Sequence, residues 1–202
     1  MITIRKALND FEEGTNVSIS QLHSWLSSPT HVRSDYGRWN PPPAGVIKIN
    51  TDASFNYETC EAGYGFVGRN SEGRLLDGCA AKFSCLSPEA AKGIAVRAAL
   101  LFAISRGFPF CPIHIDSNQI VQLILTTLAP IPWDLAAIIH EIKDLMQLHP
   151  RIQVFFSPRS ANKCANWVAV KARNGYTVSG WSSNPHINLF LFYGRTVCNF
   201  SH

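Results

Sequence analysis

The chain has 202 residues, 46% hydrophobic and 16% charged. That balance suits a globular protein with a sizeable core and excludes a disordered one. The formal charge of +4 permits a polyanionic partner but is too small to demand one.

Six cysteines (Cys60, Cys79, Cys85, Cys111, Cys164, Cys198) form no C-x-x-C pair and no Cys/His cluster at zinc spacing. They read as reduced thiols of an intracellular protein, nuclear or cytoplasmic. The opening Met-Ile-Thr-Ile-Arg-Lys lacks the apolar segment of a secretion signal, and no uncharged apolar stretch is long enough to span a membrane.

Residues 1–38 lack sustained periodicity and read as an arm or linker, in which 18–27 could form a short helix. Three prolines, Pro41 to Pro43, then act as a stiff lead-in, because proline suits neither a helix interior nor a central strand. Three strands are expected next, at 46–54, 63–69 and 74–83. Asn70-Ser71-Glu72-Gly73 supplies a hairpin turn, since Asn and Gly tolerate positive φ. The second strand is rich in glycine, which implies a bend or a close backbone approach.

Ser87-Pro88-Glu89 reads as the start of a helix: an N-cap, a proline at the first helical position and an acid in the first turn. It should run to Arg106, with Gly107 closing it. A strand follows at 112–116, then helices at 117–128 and 133–148, a strand at 151–156 and a last helix at 161–173. The order β-β-β-α-β-α-α-β-α gives an α/β fold with a mixed five-stranded sheet and helices on both faces. The tail, 174–202, holds an apolar run at 187–193 of undecided role.

Two of these strands end in an acid. Asp52 closes Val-Ile-Lys-Ile-Asn-Thr-Asp, and Asp116 closes Ile-His-Ile-Asp. Alone, Asp52 is an ordinary strand-ending turn residue. Paired with Asp116 in one sheet, it becomes a candidate cation ligand on rigid backbone.

The chain resembles the ribonuclease H type-1 superfamily, and in particular plant retroelement-derived ribonuclease H-like domains. The matching residues are Trp39-Asn40-Pro41-Pro42, Gly45, Lys48-Ile49-Asn50-Thr51-Asp52-Ala53-Ser54, Ala62-Gly63-Tyr64-Gly65, Ser87-Pro88, Ile115-Asp116-Ser117 and 158–165. They span roughly 39–173.

The resemblance implies two-metal phosphodiester hydrolysis, with four carboxylates holding two Mg²⁺ ions. Asp52 and Asp116 stand at two of the four positions. Lys92 stands where the family carries its helix Glu, and Asn166 where it carries its last Asp. Phe156 replaces a His that assists turnover.

Lys92 shares a helical stripe with Ala95, Val96 and Ala99, so its ammonium should point at the two acids and compete with any metal. Glu89, three residues earlier, is a conceivable substitute ligand, though a first-turn acid is also an ordinary answer to the helix dipole. Asp77, Asp134 and Asp144 read as turn, cap or solvated-face residues, and His114 as a packed histidine.

By the same resemblance, Ser54, Asn56, Ser117, Asn118, Arg159 and Lys163 stand where an RNA–DNA hybrid or RNA would be contacted. The implied function is a nucleic-acid-binding domain with a degraded site and little or no hydrolysis. Two alternatives stay open: an active Mg²⁺-dependent hybrid ribonuclease, and a vestigial or protein-interaction domain.

Overall fold

The computed structural model describes residues 38–126 and 130–179. The expected helix at 18–27 and the apolar run at 187–193 lie outside those residues.

A six-stranded sheet forms the centre, in the order β5-β4-β1-β2-β3-β6. β1 (Lys48–Phe55), β2 (Glu61–Arg69) and β3 (Leu75–Ser84) make an antiparallel meander. The β2–β3 turn forms as its sequence predicts. Gly73 adopts φ +74°, and the Asn70 side chain accepts hydrogen bonds from the amides of Glu72 and Arg74. β4 (Cys111–Ile115) and β5 (Ile152–Phe156) then join parallel to β1.

The sheet has one strand more than expected. β6 (Val178–Ser179) pairs antiparallel with β3. A two-residue strand carries no periodicity of its own, and its pairing comes from tertiary packing.

α1 (Pro88–Ser105) starts at Ser87, whose hydroxyl accepts from the Ala90 amide and donates to Asp134 at 2.6 Å. That bond ties its N-terminus to the first turn of α3 (Trp133–Leu148). Gly107 at φ +63° closes α1. α1, α2 (Asn118–Leu125) and α3 bury one face of the sheet through Ile49, Phe66, Leu100, Ile113, Ile120 and Ile139.

α4 (Lys163–Arg173), entered through a short 3-10 turn at Arg159–Ala161, covers the other face with Val168 and Ala172 against Val67 and Val178. The glycines of β2 permit this approach. A Cβ on Gly65 would fall 2.7 Å from the Ala169 backbone nitrogen, and one on Gly63 would fall 2.7 Å from its oxygen. The close approach read from the sequence is therefore the seat of α4.

Two readings need correction. Asp77 is buried and paired with Arg106 at 2.5 Å, because Arg106 reaches back from the end of α1 to β3. Cys164 is disulfide-bonded, whereas Cys60, Cys79, Cys85 and Cys111 are free thiols. Sequence spacing gave no sign of that bond, because it reflects proximity in the fold. His114 is buried and stacks on Phe155, ring centroids 5.5 Å apart, as a packed histidine should.

Candidate functional site

β1 and β4 lie side by side in parallel, with Asn50 opposite His114. Carrying that register two residues further sets Asp116 beside Asp52 at the C-terminal end of both strands. In open α/β sheets, ligands are taken at that edge. The two acids are buried there, with side chains 1% and 3% exposed.

Lys92 reaches them from the first half of α1. Its Nζ donates to Asp52 Oδ1 at 2.9 Å and also to Asp116 Oδ1. Asn166 on α4 donates its amide to the other Asp52 oxygen at 3.0 Å, and the Ala53 amide donates to Asp52 Oδ1 at 2.8 Å. Asp52 is thus surrounded by donors. The Arg159 Nε lies 3.8 Å from Asp116 Oδ2, adding a second positive charge on the solvent side.

Burial pushes the Asp52 carboxyl above the usual range, and the charge of Asp116 adds to this, while the Lys92 ammonium and the Asn166 amide pull the other way. Burial pulls Lys92 down, but the two carboxylates outweigh it, so its pKa is raised and it stays an ammonium at neutral pH. At an effective dielectric near 20, each contact is worth roughly 4–6 kcal/mol of attraction before the cost of burying the charges is subtracted.

A divalent ion about 4 Å from the ammonium would meet a repulsion of roughly 8 kcal/mol in the same dielectric. Mg²⁺ needs oxygen ligands, and here the inward carboxylate oxygens already accept from an ammonium and an amide. Among the described residues, no three His, Cys, Asp or Glu side chains come together as a metal site. The residues present do not fit a two-Mg²⁺ centre.

Glu89 is half-buried, and among the described residues no hydrogen bond or ion pair joins it to the Lys92 cluster. Phe156 ends β5, 43% exposed.

The other candidates lie on or next to the elements that carry the acids and Asn166. Ser54 lies two residues beyond Asp52 on β1, and Asn56 follows that strand, its side chain accepting from the Glu58 amide. Ser117 caps α2 by accepting from the Ile120 amide, Asn118 is the exposed first residue of that helix, and Lys163 is the exposed first residue of α4.

A polar belt behind the acids was not read from the sequence. Trp39 donates its indole N–H to Asn50 Oδ1 at 2.7 Å, and Asn50 donates to Asn162 Oδ1 at 3.0 Å. Asn162 donates in turn to the Thr51 carbonyl at 2.9 Å. The Arg69 guanidinium stacks on the Trp39 ring at 3.8 Å and donates to Asn50 at 3.2 Å. Burial lowers its pKa to about 9, which leaves it charged at pH 7. Asn162 precedes α4, and its carbonyl accepts from the Asn166 amide at 3.1 Å, so the belt fixes the helix turn that holds Asn166 against Asp52. The Trp39, Asn50 and Asn162 positions stood within the matching motif, but nothing in their spacing showed that they meet.

The match of residues 50–172 to the model of the Reverse transcriptase-like family covers more than half of the chain. The chain belongs to that family. Solved structures agree on the fold of this Reverse transcriptase-like domain. The RNase H1 of the halophilic archaeon Halobacterium salinarum aligns with a TM-score of 0.60 at 18% identity, over 65% of this chain and 99% of that one. The N-terminal RNase H domain of Rv2228c from Mycobacterium tuberculosis gives 0.58 at 21% identity, over 64% and 94%. LC11-RNase H1, solved in complex with an RNA/DNA hybrid, gives 0.58 at 20% identity, over 63% and 96%. No curated protein sequence matches the chain. The Reverse transcriptase-like domain therefore has the ribonuclease H-like fold. No helix among its described residues is long and apolar enough to cross a membrane.

Proposed function

We propose that the domain binds nucleic acid, an RNA–DNA hybrid or RNA, through a ribonuclease H-like surface whose hydrolytic centre has been disarmed. The observation that carries the reading is the Lys92 ammonium held between Asp52 and Asp116. It supplies, from within the chain, the positive charge that the acids would otherwise take from a metal. Asn166 completes the change by turning a ligand position into a donor.

The hybrid held by LC11-RNase H1 supports the choice of partner. So do Arg159, exposed beside Asp116, and Lys163, exposed at the start of the helix that carries Asn166, where phosphates would be attracted. Plant retroelement ancestry and a nuclear or cytoplasmic location belong to the same proposal, resting on the motif from Trp39 to Ser54 and on the choice of partner. Among the described residues, the Cys164 disulfide is at odds with a reducing compartment. Imaging of the tagged full chain tests the location, which secretion would contradict.

Titration of a labelled RNA–DNA hybrid at two salt concentrations, with Mg²⁺ or with chelator, tests the binding. Salt-sensitive binding that persists in chelator is expected. Arg159→Ala should weaken it and lower the salt slope by about one. No binding at low salt would refute the proposal.

A further inference from the structure

At the start of the β2–β3 ladder Glu61 faces Ser84, so the next pair outward is Cys60 and Cys85. The backbone continues the ladder there, with the Cys85 amide donating to the Cys60 carbonyl at 3.2 Å. That bond holds the two backbones at about the separation of a hydrogen-bonded antiparallel pair, with Cα atoms roughly 5.5 Å apart. A disulfide spans Cα separations of about 4.4–6.8 Å.

Both cysteines are free thiols. Cys60 is exposed, at a left-handed corner (φ 55°) where the chain enters β2. Cys85 is half-buried and donates its thiol hydrogen to the Ser87 carbonyl at 3.3 Å. In the sheet ladders Cys79 stands opposite Phe66 and Ser179, and Cys111 opposite Ile152.

We propose that Cys60 and Cys85 form a redox modification site, closing to a cross-strand disulfide on exposure to an oxidised small-molecule disulfide such as oxidised glutathione. The Cys60 thiolate attacks one glutathione sulfur, the S–S bond breaks, and one glutathione thiolate leaves. The Cys85 thiolate then attacks the Cys60 sulfur of the mixed disulfide and expels the second glutathione thiolate. The two protein thiols together lose two electrons and two protons; oxidised glutathione gains both and becomes two thiols.

Exposure makes Cys60 the first to react. Burial pushes the Cys85 thiol up, so it is the weaker nucleophile of the two and does not make the first attack. The bond would fasten the turn that follows the Asp52 strand to a residue two positions before Ser87, the cap of the helix that carries Lys92.

The test treats the full chain with oxidised glutathione, alkylates the remaining thiols and maps non-reduced peptides by mass spectrometry. A Cys60–Cys85 linked peptide is expected, with no glutathione retained, Cys111 still alkylated after unfolding, and the link reversed by dithiothreitol. Cys85→Ser should trap glutathione on Cys60, and Cys60→Ser should give neither product. Free alkylation of both thiols after oxidation would overturn the proposal, as would a stable glutathione adduct on wild-type Cys60.

Discussion

Replacing Lys92 with methionine removes the ammonium and keeps a side chain of similar length. Asp52 and Asp116 are left almost fully buried, side by side, with their shared cation gone. Removing one partner of a buried ion pair costs about 3–5 kcal/mol. Lys92 is itself 23% exposed and Arg159 still lies 3.8 Å from Asp116, so the low end applies, about 3 kcal/mol at pH 7.

The pH dependence follows from Asp52, whose pKa burial already raises and the variant raises further. An acid with a raised folded pKa contributes its stability below its unfolded value, about 3.9, and that contribution is lost as pH rises through the folded value. The deficit of Lys92→Met should therefore be full at pH 7 and shrink as pH falls towards 4. Urea unfolding followed by tryptophan fluorescence at both pH values measures it. A deficit below about 1 kcal/mol at pH 7 would refute the reasoning, and so would one of equal size at pH 4.

Three further outcomes are expected. Gly65→Ala forces a methyl against the α4 backbone beside Ala169 and should cost about 1–3 kcal/mol or more by urea unfolding, while an exposed control such as Ser160→Ala should not. Asn162→Ala leaves the Asn50 amide and the Thr51 carbonyl without their partner, about 1–3 kcal/mol each, and loosens the turn that holds Asn166. Lys48 has its pKa lowered to about 7 by burial and by Arg69. Its contribution is full above the unfolded value near 10.5 and is lost as pH falls towards 7, so wild type should gain on Lys48→Met between pH 7 and 10. The gain, read by unfolding across that range, is at most about 1.4 kcal/mol per pH unit, because the Asn40 carbonyl and the Trp39 ring favour the charged form.

Much of the fold was legible because its signals are local. Ser87-Pro88, Asn70–Gly73 and Gly107 act within a few residues of themselves, and the structure ends its elements at those places. Glycine in β2 was legible as a close approach, but not as the seat of α4, which lies about a hundred residues away in the chain. Lys92 could be aimed at the acids because helical periodicity fixes which face a residue occupies, and the family resemblance said which face mattered.

The Trp39–Asn50–Asn162 belt depends on three segments meeting, which no periodicity encodes. Asp77 looked like a solvated turn acid because its partner, Arg106, only reaches it once α1 has packed on the sheet. β6 is too short to announce itself. The disulfide at Cys164 left no trace in the spacing of the cysteines.

The most direct test of the proposal that the centre is disarmed is cleavage of a labelled RNA–DNA hybrid in Mg²⁺ by wild type, Asp52→Asn and the double variant Lys92→Glu/Asn166→Asp. No cleavage by wild type, with activity gained in the double variant, is the result expected if those two positions silence the ribonuclease H-like fold. Mg²⁺-dependent cleavage by wild type that disappears in Asp52→Asn would contradict it.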